Sequence, residues 1–132
     1  MSDHLAIVKG LYESFGRGDI PAILDCLADD IDWEPWADNT AQKAGVPWLQ
    51  PRTGKAGVLE FFKIVATLKV SDFRVISLMA GENQVAAEIE IVTERFHDEE
   101  CHLWRFNGAG KIDRLRHYVD TAKHAAAAAK AP

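Results

Sequence analysis

Little in this sequence would tie it to a membrane, a nucleic acid or an oxidising compartment. Only two cysteines, Cys26 and Cys101, occur in 132 residues, far apart and without CxxC spacing, which argues against a disulfide framework or a structural zinc site. No apolar run approaches the roughly 20 residues that span a bilayer, and the N-terminal MSDHLAIVKG has no basic stretch leading into an apolar core. The expectation is a cytoplasmic protein with no membrane partner. Basic residues are in deficit, giving a net charge of −5, whereas binding a phosphate backbone needs a concentrated positive surface, so no nucleic-acid partner is expected. What is present is ordinary globular composition, 48% hydrophobic and 27% charged, in a length that suits one domain with a real core.

Helical signals come first. Asp3 is placed to cap a helix whose apolar residues Leu5, Val8, Tyr12 and Phe15 repeat at three-and-four spacing. Gly16 and Gly18 stop it. Asp19 and Pro21 open a second, shorter helix with Ile23, Leu24 and Leu27 on its apolar stripe. Ile31-Asp32-Trp33-Glu34 reads as a short strand. From Glu34 to Thr53 three prolines and no clear period indicate a long loop, and loops of that length tend to be binding loops, lids or disordered segments. Trp36 and Trp48 speak against simple disorder, because large rings in a polar loop usually cover something. Thr53 is the expected cap of a third helix with Val58, Leu59, Phe62 and Val65 on its apolar face.

From Ser71 the pattern turns to strands: Phe73–Met79, a Gly81-Glu82-Asn83 turn, Gln84–His97, an acidic turn at Asp98-Glu99-Glu100, and a hairpin from Cys101 to Ala122 around Asn107-Gly108-Ala109-Gly110. Helices followed by antiparallel strands define an α+β order. Alternation puts Glu88, Glu90 and Glu94 on one face of the Gln84–His97 run and Ile89, Ile91, Thr93, Arg95 and His97 on the other. In the hairpin, His102, Trp104 and Phe106 share one face, and Arg114, Arg116, Tyr118 and Asp120 are expected to share the pocket-facing side of the return strand. Glu34 precedes Pro35, which biases it to an extended backbone able to aim its side chain inward. Trp33, Trp36, Trp48, Trp104 and Tyr118 are the candidate aromatic lining. His97, Asp98, Glu99, Glu100 and His102 invite a metal reading, but consecutive residues on a turn diverge, so no metal and no cofactor are expected. Gly108-Ala109-Gly110-Lys111 lacks the spacing of a phosphate loop. The alanine-rich tail, residues 123–132, has no periodic apolar face and is expected to be frayed or disordered.

This order, with helices, a Trp-bearing strand, a loop, another helix and four antiparallel strands, resembles the SnoaL-like branch of the nuclear-transport-factor-2-like superfamily over residues 1–122. The resemblance implies a cystatin-like α+β fold: a cone-shaped, mixed but mostly antiparallel curved sheet wrapped around the N-terminal helices and enclosing one pocket. Arg105-Phe106-Asn107-Gly108-Ala109-Gly110-Lys111 is similar to the hairpin of ketosteroid isomerases, with His102 at the spacing of their protonated oxyanion Asp. Glu34-Pro35 is similar to their general-base motif, and Tyr12 adjoins Leu11, the position aligned with their oxyanion Tyr. Thr93-Glu94-Arg95 and Leu115-Arg116-His117-Tyr118-Val119-Asp120 resemble strand motifs of limonene epoxide hydrolase, matching Arg95 to its catalytic Arg and Asp120 to its catalytic Asp. Polyketide cyclases of this branch pair a late-strand Asp with a neighbouring His, as Asp120 and His102 would. The implied function is acid/base chemistry on a small apolar substrate, of isomerase, cyclase or epoxide-hydrolase type. Asp120 would act as acid or base, Arg95 would orient it, and His102 or His97 would polarise substrate or water. A non-catalytic ligand-binding or protein-interaction module is the alternative, and a homodimer through the exposed sheet face is expected.

Overall fold

A computed structural model describes residues 3–129. The two opening helices form as their caps foretell. Asp3 accepts from the Ala6 N–H (3.1 Å) to start α1 (His4–Gly16), and Asp19 accepts from the Ala22 N–H (3.2 Å), with a proline in the first turn, to start α2 (Ile20–Asp25). Strand β1 (Leu27–Trp33) begins earlier than its sequence signal. The long loop is ordered: Asn39 and Gln42 close a capping box on α3 (Thr40–Lys43), Pro47–Leu49 make one 3₁₀ turn, and β2 (Arg52–Thr53) leads into α4 (Gly54–Ala66). Thr53 makes no side-chain cap bond. Gly54 makes the entry instead, at φ 83 with the Asp29 carbonyl 3.6 Å from where a Cβ would sit.

Strands β3 (Asp72–Gly81), β4 (Gln84–Val92), β5 (His97–Phe106) and β6 (Ile112–Tyr118) complete a six-stranded sheet in the order β2-β1-β6-β5-β4-β3. Only the β1–β6 pair is parallel. Register shifts between Val75 and Ser77, and between Arg105 and Phe106, are the bulges that bend a sheet. The result is the expected α+β arrangement, a curved, unclosed sheet with the N-terminal helices in its concave face. Val8 and Leu11 of α1 and Val58 and Phe61 of α4 pack there with Ile31, Ile89, Trp104 and Leu115. The convex face, where a second copy was expected to pair, carries exposed Met79 and the Arg74–Glu90 ion pair. No helix among the described residues is long and apolar enough to cross a membrane.

Three expectations change. The chain turns three residues before the acidic triplet, because the Thr93 hydroxyl accepts from the Arg95 and Phe96 N–H groups (3.0 and 3.1 Å) and so closes a local turn. Asp98-Glu99-Glu100 therefore lies within β5, and Asp98 and Glu100 are buried in phase with His102, Trp104 and Phe106. On β6 the inward face is Leu115 and His117, directly opposite Trp104 and His102, not the arginine face. Third, the chain continues as α5 (Thr121–Ala129), capped by Asp120 accepting from the Lys123 N–H (3.1 Å) and burying His124 and Ala127. That replaces the frayed tail expected from residue 123; residues 130–132 lie outside the described part. Its alanines favour helix, but nine residues alone are marginal in water, and tertiary packing of its His124 face decides the outcome.

Ile89 is fully buried at the centre of β4, so Ile89→Ala is expected to cost about 2–5 kcal/mol in urea unfolding. Met79→Ala, at 57% exposure, should stay within about 0.5 kcal/mol.

Candidate active site

Between the concave face, α1, α4 and α5 lies a cavity of about 80 Å³. Most of its wall is aromatic or aliphatic, with Tyr12, Trp33, Trp48, Phe73, Phe96 and Trp104 among the lining side chains. Beside the indole N–H groups of Trp33, Trp48 and Trp104, of which that of Trp33 has no partner among the described residues, its polar groups are those of Tyr12, Glu100, His102, His117 and His124. Each is delivered by a different constraint. Tyr12 rides the buried stripe of α1, while Glu100 and His102 sit two apart on β5 and so share a face. His117 is paired across the ladder with His102, and His124 comes from the first turns of α5.

The hydrogen bonds fix where the protons are. The Trp48 indole N–H, a donor only, points at His124 Nδ1 (2.8 Å), so the proton of a neutral His124 must be on Nε2. That Nε2–H meets Asp98 Oδ2 (2.8 Å) and Glu100 Oε2 (3.1 Å). The Trp104 indole donates to the Tyr12 hydroxyl (3.0 Å), whose own proton goes to His102 Nδ1 (2.7 Å), leaving His102 Nε2–H to donate to Glu100 Oε1 (3.0 Å). Burial pushes the His102 pKa down, and the proximity of His117 adds to it, which keeps this imidazole neutral. Burial works against ionisation of Glu100, yet the bonds from His102 and His124 outweigh it and hold the carboxyl well below its usual range. Tyr12 is pushed far above a normal phenol by burial.

Asp98, Glu100 and His124 place three ligand-type atoms within 4.8 Å of one another. The donor chemistry does not fit a cation, because the Nε2 lone pair that a metal would need is occupied by the proton that Trp48 forces there.

His117 is different. Its Nδ1 lies 2.9 Å from Glu34 Oε1, an ion-pair contact outside hydrogen-bond alignment, while its backbone N–H donates to the same oxygen. Its Nε2 has no partner among the described residues. Burial lowers the His117 pKa, but the Glu34 charge prevails and lifts it above the ordinary value. Glu34 itself is fully buried, and its Oε2 has no partner. Its backbone is not extended, as the following proline suggested, but left-handed at φ 59, a strain of order 1–3 kcal/mol for a non-glycine residue. Three bonds impose it: Glu34 N–H to the Leu115 carbonyl (2.8 Å), Trp36 N–H to the Glu34 carbonyl (2.8 Å), and the Gln42 amide to that same carbonyl (3.2 Å).

The remaining expected residues lie elsewhere. Asp120 is exposed and caps α5, Arg95 reaches the Ala127 carbonyl (3.5 Å), and His97 is exposed against Glu90 (2.8 Å). Of the proposed trio, therefore, only His102 faces the cavity. Asp120 is displaced because β6 ends at Tyr118, and Arg95 because the Thr93 turn takes it out of β4. Tyr12, Trp33, Trp48 and Trp104 do line the cavity. Trp36 and Tyr118 stack edge to face outside it (4.8 Å), with the Arg116 guanidinium 4.6 Å from the Trp36 ring centre. Asp98, Glu100, His117 and His124 were not foreseen. The signal for Glu100 was its even spacing before His102, and for His117 its pairing with His102 across the hairpin.

A curved α+β sheet around an apolar cavity with one polar wall defines a nuclear-transport-factor-2-like protein. More narrowly, residues 8–115 match the SnoaL-like domain, and the chain belongs to that family. It is similar in structure to an NTF2-like protein of unknown function from Burkholderia pseudomallei, at 20% identity and TM-score 0.77, over 98% of this chain and 100% of that one. A putative isomerase from Rhodopseudomonas palustris aligns at 21% identity and TM-score 0.69, over 97% and 98%. A computationally designed 17-OHP binder aligns at 22% identity and TM-score 0.67, over 86% and 90%. No curated protein matches the sequence at a significant level.

The raised His117 pKa means that its pairing with Glu34 stabilises the fold fully below about pH 6.5, the unfolded value, and that this contribution is lost as pH rises through the folded value. Glu34→Gln removes the charge, so the His117 Cε1–H resonance is expected to titrate at lower pH than in the wild type. An unchanged or higher midpoint by NMR would show that Glu34 does not set it.

Proposed function

We propose that the protein is an enzyme that moves a proton on a small, largely apolar molecule held in the cavity, with His117 Nε2 as the base and acid. The carrying observation is the difference between three imidazoles on one wall. His102 and His124 have both ring nitrogens committed, whereas His117 offers a free Nε2 and sets its other edge on the buried carboxylate of Glu34. A base is most useful when its pKa lies near working pH, and a carboxylate behind an otherwise buried imidazole counters the desolvation that would carry it lower. Strain at a residue fixed by three hydrogen bonds is typical of sites where position matters more than stability. The family match and the isomerase name carried by one structural neighbour agree with this reading. A binding module without turnover is the second reading, favoured by the fact that Tyr12 spends its proton on His102 and has none for a substrate.

Nitrobenzisoxazole tests for a positioned base in an apolar pocket without knowledge of the natural substrate. The base takes the ring C–H proton, the C–H pair forms the nitrile, and the N–O bond breaks to release a coloured phenolate. Wild-type protein is expected to open the ring with a rate that rises with pH through the His117 pKa. His117→Gln should lower that rate by about 10²-fold, and Asp120→Asn should leave it within about twofold, as surface changes away from a site usually do. A His117→Gln rate equal to wild type would remove the proposed base and leave the binding reading.

A further inference from the structure

Glu100 is a buried anion with no lysine or arginine among its hydrogen-bond partners in the described residues. His102 and His124 donate to its two oxygens; burial holds His102 neutral, and the Trp48 indole N–H occupies the Nδ1 lone pair of His124. Lys123, on the neighbouring helix, is engaged at the His97 carbonyl (2.8 Å) and at Asp98 Oδ1 (3.4 Å). His117, whose charge is felt at Glu100, sits directly against Glu34. No lysine or arginine lines the cavity among the described residues. A carboxylate has about four acceptor positions, and the two N–H donors leave some of Glu100's open. Around it the cavity presents π-faces and ring edges: Trp33 and Trp104 with centroids 6.0 Å apart at 74°, Tyr12 and Trp104 at 5.9 Å and 81°, and Trp48 and Phe96 at 6.0 Å and 21°. Aromatic faces attract cations, and more strongly where water is excluded.

We propose that the ligand of this cavity carries a positive charge: a protonated amine on a small apolar body, with its ammonium set against Glu100 and its body among the aromatic rings. A neutral molecule leaves the buried carboxylate uncompensated, and an anion adds repulsion in a low-dielectric space. The proposal deepens the proton-transfer reading, since it takes the same cavity as the ligand site. It is tested by binding alone, so that either can fail without the other.

Benzylamine, benzyl alcohol and benzoate share one ring and differ in charge. Their binding to the full chain can be followed by tryptophan fluorescence, reported by Trp33, Trp48 and Trp104, and by calorimetry at neutral pH. Benzylamine is expected to bind at least about tenfold more tightly than benzyl alcohol, with benzoate weakest, a size of effect in keeping with a desolvated cation–π and ion-pair contact. Glu100→Gln should erase the preference for the amine while keeping affinity for the alcohol. The charge order in the wild type stands as a test by itself if that variant does not fold. Equal or tighter binding of benzyl alcohol or benzoate overturns the proposal. So does failure of all three to bind, or an amine preference that survives Glu100→Gln in a folded protein.

Discussion

The carboxylate of Glu100 ties together parts of the chain that lie far apart in sequence. Through His102 it reaches Tyr12 on α1 and, beyond it, Trp104; through His124 it reaches α5 and the Trp48 turn. Each link runs donor to acceptor in one direction, from an indole N–H that can only give to a carboxylate that can only take. Both intervening imidazoles are fixed as single tautomers as a result. Such a network is costly if any member is missing, because a buried polar group left unpaired forfeits about 1–3 kcal/mol. It also specifies the fold. Helix α5 is too short to hold on alanine propensity alone, and His124 finds partners for both its nitrogens where the helix docks.

The Glu34 segment is organised on the opposite principle. There the backbone is held in an unfavourable region, one carboxylate oxygen is unpartnered, and the imidazole it faces is the one with an unused nitrogen. Outside the cavity, Arg116 donates to the Pro35 carbonyl (2.8 Å) and lies over Trp36, which bears on Tyr118. The aromatic pair that looked like a ligand surface therefore braces the strained turn from behind. One wall of the cavity is thus locked, and the adjoining one is left poised.

Much of the fold was legible, because it rests on local signals. The caps at Asp3 and Asp19, the apolar stripe of α1, the strand alternation around Ile89 and Ile91, and the hairpin glycines each need only a few neighbouring residues. The family resemblance over residues 1–122 corresponds to the SnoaL-like match over residues 8–115. The site was legible where it depended on strand period, as with His102 and Trp104, on the helical stripe that carries Tyr12, or on a large ring needing cover, as with Trp48. Asp98 and Glu100 were hidden because three consecutive acidic residues look like a solvated turn, and nothing local revealed that the Thr93 hydroxyl would close the turn earlier. His117 was hidden by its flanks: Arg116 and Tyr118 seemed the richer face, and only the pairing of His102 with His117 shows which side turns inward. His124 could not be foreseen from an alanine-rich tail, since its burial depends on partners 26 and 76 positions away.

The placement of protons also limits which chemistry the cavity can serve. A reaction that builds full negative charge on a carbonyl oxygen draws on two or more donors aimed at that oxygen. Here the Tyr12 proton goes to His102, the His102 proton to Glu100, and both indole protons at the polar wall to Tyr12 and His124. The groups left over at the cavity are an acceptor carboxylate, one imidazole nitrogen that gives or takes a single proton, and the single unpartnered indole N–H of Trp33. In the hairpin, His102 thus gives its hydrogen bond to the Glu100 carboxylate and has none left for a substrate oxygen. A wall of this kind suits a substrate that brings its own positive charge or loses a proton without building a strong oxyanion.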